Sequence, residues 1–174
     1  PVKDSRQSYD RFTKAELLKI FNPEYYPYPE DENFAYRYYI PLMALYSGAR
    51  LNELCQLYCD DIKKENNIYY MIFTDERPDQ HLKNKVSKRI VPIHPKIIEM
   101  GFLDYLLSVK SKRKQRVFYQ LTYAQYNHYA DKMSKWFGRY LESIGISGKR
   151  KVFHSFRHTV KPELRDANVG REYQ

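Results

Sequence analysis

Two short stretches of the chain carry the side chains best suited to chemistry on a phosphate group. The stretch S-G-A-R-L-N-E-L contains Arg50, and the stretch H-S-F-R-H-T contains His154 and Arg157. His154 and Arg157 are three residues apart, a spacing that places two side chains on one face of a helix. Guanidinium groups bind phosphate through paired hydrogen bonds, and an imidazole can move a proton. The pattern predicts a phosphate-binding site that also transfers protons.

Glu53 lies three residues after Arg50 on a predicted helix over residues 50–58. At this spacing the two side chains can pair, which would hold the guanidinium in one orientation. The alternative is an ordinary surface salt bridge. We favour the first interpretation because Arg50 follows a strongly apolar segment, where partial shielding from water is expected.

Length and charge limit what the protein can be. The chain has 174 residues, enough for one domain with a substantial core. Its formal net charge is +9 and its pI is about 9.4, which favours an anionic partner, most commonly nucleic acid. The alternative is that the charge serves solubility alone.

The two cysteines, Cys55 and Cys59, are four residues apart on the same predicted helix. A disulfide framework would need more cysteines, and a structural zinc site would need two further ligands nearby. We therefore expect buried free thiols in a reducing cytoplasm, and no metal. The sequence contains no apolar run of membrane-spanning length and no signal-peptide pattern, so we expect a cytoplasmic protein without a membrane partner.

Helices dominate the first part of the chain. Residues 1–11 are polar and aperiodic, and we interpret them as a linker or arm. Thr13 and Glu16 fit a capping box that opens a helix. Residues 33–46 form an apolar, aromatic run that predicts a buried helix kinked by Pro41.

The periodicity then changes to that of strands. Residues 68–73 and 88–93 are β-branched or aromatic runs of strand length, and the span between them contains turn formers. The simplest prediction is a small antiparallel sheet with a β-hairpin that presents Lys83 and Lys85 at or near its tip.

The remainder predicts further helices and a concentration of basic residues. Pro95 begins a helix that reaches Leu107, and a capping box at Thr122 and Gln125 opens a long helix that ends near Gly145. The basic run at residues 110–116 is either a solvated connector or a phosphate contact. We expect an α+β fold, mainly α: one helical domain with a small antiparallel sheet inserted.

These boxes together resemble the catalytic domain of the tyrosine recombinases, specifically the phage-type integrases. S-G-A-R-L-N-E-L resembles the family's first arginine box, K-N-K-V-S-K-R-I-V-P-I-H its β-hairpin box, and H-S-F-R-H-T its His-x-x-Arg box. The resemblance covers residues 12–174. Three boxes in the family's order are far more specific than any one of them.

The resemblance implies a mechanism. A tyrosine hydroxyl attacks a DNA phosphate to give a 3′-phosphotyrosyl link, and no ATP, metal or other cofactor is needed. Arg50 and Arg157 would clamp the phosphate, while His154 would contact it or carry the proton of the nucleophile. Lys83 would protonate the departing 5′-oxygen. We prefer Lys83 to Lys85 because K-N-K-V-S-K-R aligns best with the family pattern from its first lysine.

The chain departs from the family pattern at its end. It contains no L-G-H box, and the family's nucleophilic tyrosine follows that box. Tyr173 lies where the family has the segment leading to the box, so we expect the nucleophile beyond Gln174. We assign supporting roles to Glu53, Lys85 and His158, and we expect His158 on a different helix face from His154.

The implied partner is a double-stranded DNA attachment site, bound by a homotetramer in the whole protein. The predicted DNA contacts are basic residues on the hairpin, in the run at 110–116 and before the final box. They are Lys85, Lys88, Arg89, Lys112, Arg113, Lys114, Lys149, Arg150 and Lys151.

Three other functions stay open from the sequence. A type IB topoisomerase uses similar chemistry, although the small size and the integrase-like boxes favour a recombinase. A non-catalytic DNA-binding relative would keep only the basic surface. An interaction domain would bind DNA without a steep dependence on salt.

Overall fold

The computed structural model describes residues 9–26, 28–146, 148 and 150–166, apart from the side chains of residues 85, 164 and 165. Within these residues the chain is mainly helical with one small antiparallel sheet, so the predicted fold class is confirmed. The helices are α1 Lys14–Ile20, α2 Ala35–Ser47, α3 Leu51–Cys55, α4 Pro95–Glu99, α5 Phe102–Ser111, α6 Asp131–Ser143 and α7 Ser155–Asp166. The strands are β1 Ile62–Glu65, β2 Ile68–Phe73 and β3 Arg89–Pro92.

Helix α2 is the centre of the core. It is buried along most of its length and packs against α3, α6 and α7. Pro41 lies inside it without ending it, and Gly48 ends it in the left-handed conformation at φ 61°. A side chain is disfavoured there, and an added Cβ would also lie 3.3 Å from Cγ1 of Val160 in α7. The tight turn at Gly48 therefore brings the start of α3 close to α7.

The sheet has the order β1-β2-β3, with both pairs antiparallel. Ile62 pairs with Met71 across β1 and β2, and Phe73 pairs with Arg89 across β2 and β3. Strand β1 was not predicted, because its sequence I-K-K-E is short and mostly charged. The tight hairpin joins β1 to β2 through residues 66–67, both at positive φ.

The predicted antiparallel hairpin of β2 and β3 is confirmed, and Lys83 is in the segment that joins the two strands. It lies in residues 74–88, a long connection between β2 and β3 that includes a 3-10 turn at Lys85–Ser87. This connection is called the lysine loop below.

Two predicted helices have different boundaries. The predicted helix from Pro95 to Leu107 is divided into α4 and α5, because Gly101 adopts φ 83°. The helix predicted to open at Thr122 begins only at Asp131. His128, in the intervening segment, has φ 49°, which an α-helix cannot accommodate.

Smaller points concern α3 and α7. Helix α3 ends at Cys55, so Cys59 lies in a separate 3-10 turn at Cys59–Asp61, although both thiols are free and buried as predicted. Pro162 lies inside α7, and the helix continues past it to Asp166. Among the described residues no helix combines the length and apolar character that a bilayer crossing requires.

Candidate active site

Arg50 is fixed at the start of α3 by the pairing that the sequence predicted. Its backbone N–H donates to Oε2 of Glu53 at 2.8 Å, and its Nη1 donates to Oε1 of the same carboxylate at 2.8 Å. Nη1 also donates to Oγ of Ser87 at 2.9 Å, and Ser87 in turn donates to Oδ1 of Asn84 at 2.6 Å. The Arg50 side chain remains 26% exposed, so part of its guanidinium can still reach a ligand.

Glu53 joins two guanidinium groups. Its side chain is 2% exposed, and its Oε2 accepts a hydrogen bond from Nη2 of Arg89 at 2.8 Å. Arg89 is itself 9% exposed, lies 4.6 Å from the ring centre of Phe73 and donates to the carbonyl of Ser87. Burial raises the pKa of Glu53, but the hydrogen bonds and charges of Arg89 and Arg50 outweigh it and leave the pKa lowered. Glu53 is therefore an anion that orients Arg50.

Arg157 approaches from α7. Its Nη1 donates to the carbonyl oxygen of Gly48 at 2.6 Å, two residues before Arg50 in the chain. Burial, followed by the nearby charge of Arg50, lowers the pKa of Arg157 to about 10, so the group stays charged at neutral pH. Because Arg157 is bonded to Gly48 and Arg50 is the residue that precedes α3, both arginines lie where α2 ends, α3 begins and α7 passes.

His154 precedes the first residue of α7 on the same surface. Burial is the main cause that lowers its pKa to about 4, followed by the charges of His158, Arg157, Arg50 and Lys83. Its imidazole is therefore neutral at pH 7. The presence of all three predicted cations among these causes shows that the four predicted catalytic side chains lie within electrostatic range of one another.

His158 was predicted to lie on a different helix face from His154, but the two side chains lie on the same face. The two ring centres are 5.0 Å apart, because residues four apart in a helix lie on the same face. The His158 ring packs edge-on against His154.

The lysine loop is held in place by buried polar contacts that the sequence did not reveal. Nη1 of Arg77 and Nε2 of Gln80 donate to the buried carboxylate of Asp61 at 3.1 and 2.9 Å. The hydroxyls of Tyr58 and Tyr129 both donate to Oδ2 of Asp79. Hydrogen bonds of this kind restrict the positions that the Lys83 backbone can adopt.

A second contact fixes the lysine loop two residues before Lys83. Nε2 of His81 and Nδ1 of His128 lie 3.2 and 3.0 Å from the Tyr123 hydroxyl, and the two imidazoles stack with their centres 4.1 Å apart. The segment that was predicted to begin a helix at Thr122 instead packs against the lysine loop. Nothing in the local sequence pattern indicates this pairing.

Lys161 is a site residue that the sequence analysis missed. It lies one helical turn after Arg157, and burial together with the charges of Arg157, Arg50 and Arg89 lowers its pKa. Its spacing of four residues from Arg157 was the available signal. The surface therefore carries an additional cation within electrostatic range of the arginines.

The remaining predicted DNA contacts lie in different surroundings. Lys88 pairs with Glu76, and Arg150 with Asp10 at 3.1 Å. Lys151 pairs with Glu16 at 2.6 Å, and the Lys114 ammonium lies 5.2 Å from the ring centre of Tyr119. Arg113 is exposed with φ 54°. Lys149 and the side chain of Lys85 lie outside the described residues.

Lys112 is far from the arginines. It pairs with Glu32, at the start of the segment leading into α2, whereas Arg157 contacts Gly48 at the other end of that helix. A helix of 13 residues is about 20 Å long. Lys112 therefore lies at the opposite end of the core from the site. Within the described part of the chain no group of three or more His, Cys, Asp or Glu residues could hold a metal ion.

Comparison with solved structures identifies the fold. A XerH site-specific recombinase bound to palindromic difH substrate superposes with a TM-score of 0.64 at 17% identity, covering 94% of this chain and 45% of that one. The Tn1549 transposon integrase in complex with transposon right end DNA gives 0.64 and 17%, covering 97% and 57%. Its complex with circular intermediate DNA gives 0.61 and 20%, covering 98% and 57%. The chain thus has the tyrosine recombinase catalytic fold and spans about half the length of these proteins.

A comparison with sequence families agrees with this fold, whereas a comparison with individual curated proteins gives no match. No curated protein sequence matches the chain. The phage integrase family matches residues 11–170, a range that includes all three boxes and every residue of the site described above. The chain belongs to the phage integrase family.

Proposed function

We propose that this chain is the catalytic domain of a site-specific DNA recombinase that works through a 3′-phosphotyrosyl intermediate. The observation that carries the proposal is the convergence of Arg50 and Arg157 where α2 ends and α7 passes, with His154 at the start of α7 and Lys83 close enough to lower the pKa of His154. Simple DNA binding needs surface cations only. A buried carboxylate that orients one arginine, and a half-buried imidazole with a lowered pKa, are features of a site built for a reaction.

Each side chain has a role that its surroundings support. Arg50 and Arg157 bind the non-bridging oxygens and stabilise the charge that develops on the pentacoordinate phosphorus. Neutral His154 can accept the proton of the attacking tyrosine hydroxyl, which an imidazolium could not do. As the tyrosine oxygen–phosphorus bond forms and the bond to the 5′-oxygen breaks, Lys83 donates a proton to that oxygen.

The nucleophile and the assembly are further parts of the proposal. We infer that the nucleophile is a tyrosine hydroxyl, and because the 174 residues contain no L-G-H box, we assign this role to none of their tyrosines. The partner is duplex DNA containing an attachment site, since the similar XerH and Tn1549 structures are DNA complexes. The whole protein would act on this DNA as a homotetramer in the cytoplasm.

Among the basic residues, we assign phosphate contact first to the exposed cations of the site surface. Lys83 lies within electrostatic range of His154 and Lys161 within that of the arginines, and Lys85 and Lys88 lie on the lysine loop with Lys83. Arg89 is nearly buried on Glu53, so we assign it to orienting that carboxylate. Arg113, Lys114, Lys149, Arg150 and Lys151 stay as secondary contacts, and Lys112 is assigned to its ion pair with Glu32.

The proposal is tested by trapping the covalent intermediate. The protein expressed to its natural stop codon is incubated with nicked duplexes from the DNA that flanks its gene, and the products are separated on a denaturing gel. We expect a covalent adduct that Arg50→Ala or Arg157→Ala abolishes, while Lys112→Ala leaves it unchanged. Salt-sensitive DNA binding without any adduct would instead identify a non-catalytic DNA-binding relative.

A further inference from the structure

Tyr9 lies against the two histidines of the site. Its ring centre is 5.7 Å from that of His154 with an angle of 65° between the ring planes, and 6.4 Å from that of His158. Such distances and angles are those of favourable edge-to-face aromatic contacts. The Tyr9 side chain is still 44% exposed, so one side of the ring faces water while the other covers the imidazoles.

The backbone that carries Tyr9 is bound to the residues around His154. The N–H of Asp10 donates to the carbonyl of Arg150 at 3.0 Å, and Nζ of Lys151 donates to the carbonyl of Arg11 at 2.8 Å. The N–H of Phe12 donates to Oγ1 of Thr159 at 2.9 Å. These bonds hold residues 10–12 against residues that precede and follow His154 in the sequence. The direction from which Tyr9 approaches the site is therefore fixed.

We propose that Tyr9 is a positioning residue that fixes the orientation of the His154 imidazole and excludes water from one of its faces. The inference rests on the proposed function, because it assigns Tyr9 to the same active site. The sequence pattern of residues 1–11 predicted a linker or arm. The described end of that segment instead forms a wall of the site.

The electrostatic surroundings explain why such a wall matters. The groups that act on His154 are His158 and Arg157 from α7, Arg50 from the start of α3 and Lys83 from the lysine loop, all of which disfavour a second positive charge. Burial is nevertheless the largest cause of the lowered pKa of His154. Tyr9 contributes to that burial directly, and the aromatic ring rather than the hydroxyl makes the contact.

The test follows the His154 ring by NMR in the 174-residue chain. The Cε1 proton of each histidine is titrated between pH 3.5 and 8, with Asn substitution of His154 used for assignment. We expect Tyr9→Ala to raise the pKa of His154 by about one unit, because water regains access to the ring. We expect Tyr9→Phe to leave it unchanged. Tyr25→Ala, which removes a similarly exposed ring from another loop, is the matched control and should have no effect.

The outcomes separate this inference from the proposed function. An unchanged pKa in Tyr9→Ala, or an equal rise in Tyr9→Phe and Tyr9→Ala, would overturn the role of the ring. Tyr9→Leu keeps apolar bulk and guards against an effect of local unfolding, since it should give a smaller rise than Ala. In the whole protein, Tyr9→Ala should lower the rate of adduct formation without weakening DNA binding. A protein that forms no adduct at all would refute the proposed function while leaving the titration result valid.

Discussion

The guanidinium of Arg157 donates a hydrogen bond to the backbone carbonyl of Gly48 at 2.6 Å. This bond connects α7 to the end of α2, two residues before Arg50. The two arginines of the site are thus positioned by one turn of backbone, whose shape depends on the left-handed conformation of Gly48. The spacing between the arginines is therefore a property of the core, because α2 is its most buried helix.

Replacing Gly48 with alanine should disturb both arginines. The residue has φ 61°, and an added Cβ would lie 3.3 Å from Val160. We expect a loss of about 1–3 kcal/mol in the free energy of unfolding, measured with urea, and weaker binding to duplex DNA. Gly138→Ala is the control, because its Cβ would meet no atom within 4 Å in α6 and should raise stability by up to about 1 kcal/mol. Equal effects of the two substitutions would contradict this explanation.

Glu53→Gln should be much more damaging than a substitution in an exposed ion pair. It removes the charge that two guanidiniums share at a position only 2% exposed. We expect a loss of about 3 kcal/mol in the free energy of unfolding, because a buried charge pair is broken. We expect DNA affinity to fall by a larger fraction of its wild-type value than stability does, because Arg50 is no longer oriented. Glu99→Gln, which breaks the exposed pair with Lys96, should change neither property measurably. Wild-type DNA affinity in the Glu53→Gln variant would contradict this role of Glu53.

The lowered pKa of His154 predicts a specific loss of stability in acid. In the unfolded chain the imidazole has a pKa of about 6.5, whereas in the folded protein it is about 4. As the pH falls between these values, the unfolded state binds a proton that the folded state does not, so stability decreases; above pH 6.5 there is no such contribution. His154→Asn should therefore gain stability relative to wild type as the pH is lowered from 7 to 4 in urea titrations. A difference that stays constant with pH would be inconsistent with a buried neutral imidazole.

Lys161 should contribute one phosphate contact. Each contact of this kind makes the logarithm of DNA affinity fall with the logarithm of salt concentration by a slope of about 0.9. We expect Lys161→Ala to reduce the measured slope by about one, equally on different DNA sequences. Lys112→Ala is the matched control, since Lys112 is paired with Glu32 at the far end of α2 and its removal should leave the slope unchanged. An unchanged slope for Lys161→Ala would remove this residue from the interface.

Local signals in the sequence predicted local structure well where no distant residue competed with them. The capping box of Thr13 and Glu16 forms as predicted, and so does the pair of Arg50 with Glu53. The similar box predicted at Thr122 and Gln125 does not open a helix. There, His128 takes a left-handed conformation and Tyr123 contacts two histidines, one of which is far away in the chain. Tertiary contacts overrode the local preference.

In the candidate site, too, some residues could be predicted from local sequence and others are brought in only by tertiary contacts. The four residues predicted as catalytic lie in short boxes with recognisable spacing, and in the structure Arg157, Arg50 and Lys83 lie within electrostatic range of His154. The residues that position them come from distant parts of the chain: Arg89 contacts Glu53 across 36 positions, and Gly48 contacts Arg157 across 109. The hydrophobic periodicity of a single segment cannot predict contacts between residues this far apart in the sequence.

The role of Lys83 tests the central claim most directly. Duplexes are prepared in which sulfur replaces the 5′-bridging oxygen at the cleaved phosphate, so that the leaving group is a thiolate that needs no proton. The account predicts that Lys83→Ala in the whole protein abolishes adduct formation on ordinary DNA and restores it on the sulfur-containing DNA, whereas Arg157→Ala stays inactive on both. Failure of the sulfur substrate to rescue Lys83→Ala, or rescue of both variants alike, would contradict the assignment of Lys83 as the acid of a phosphoryl-transfer site.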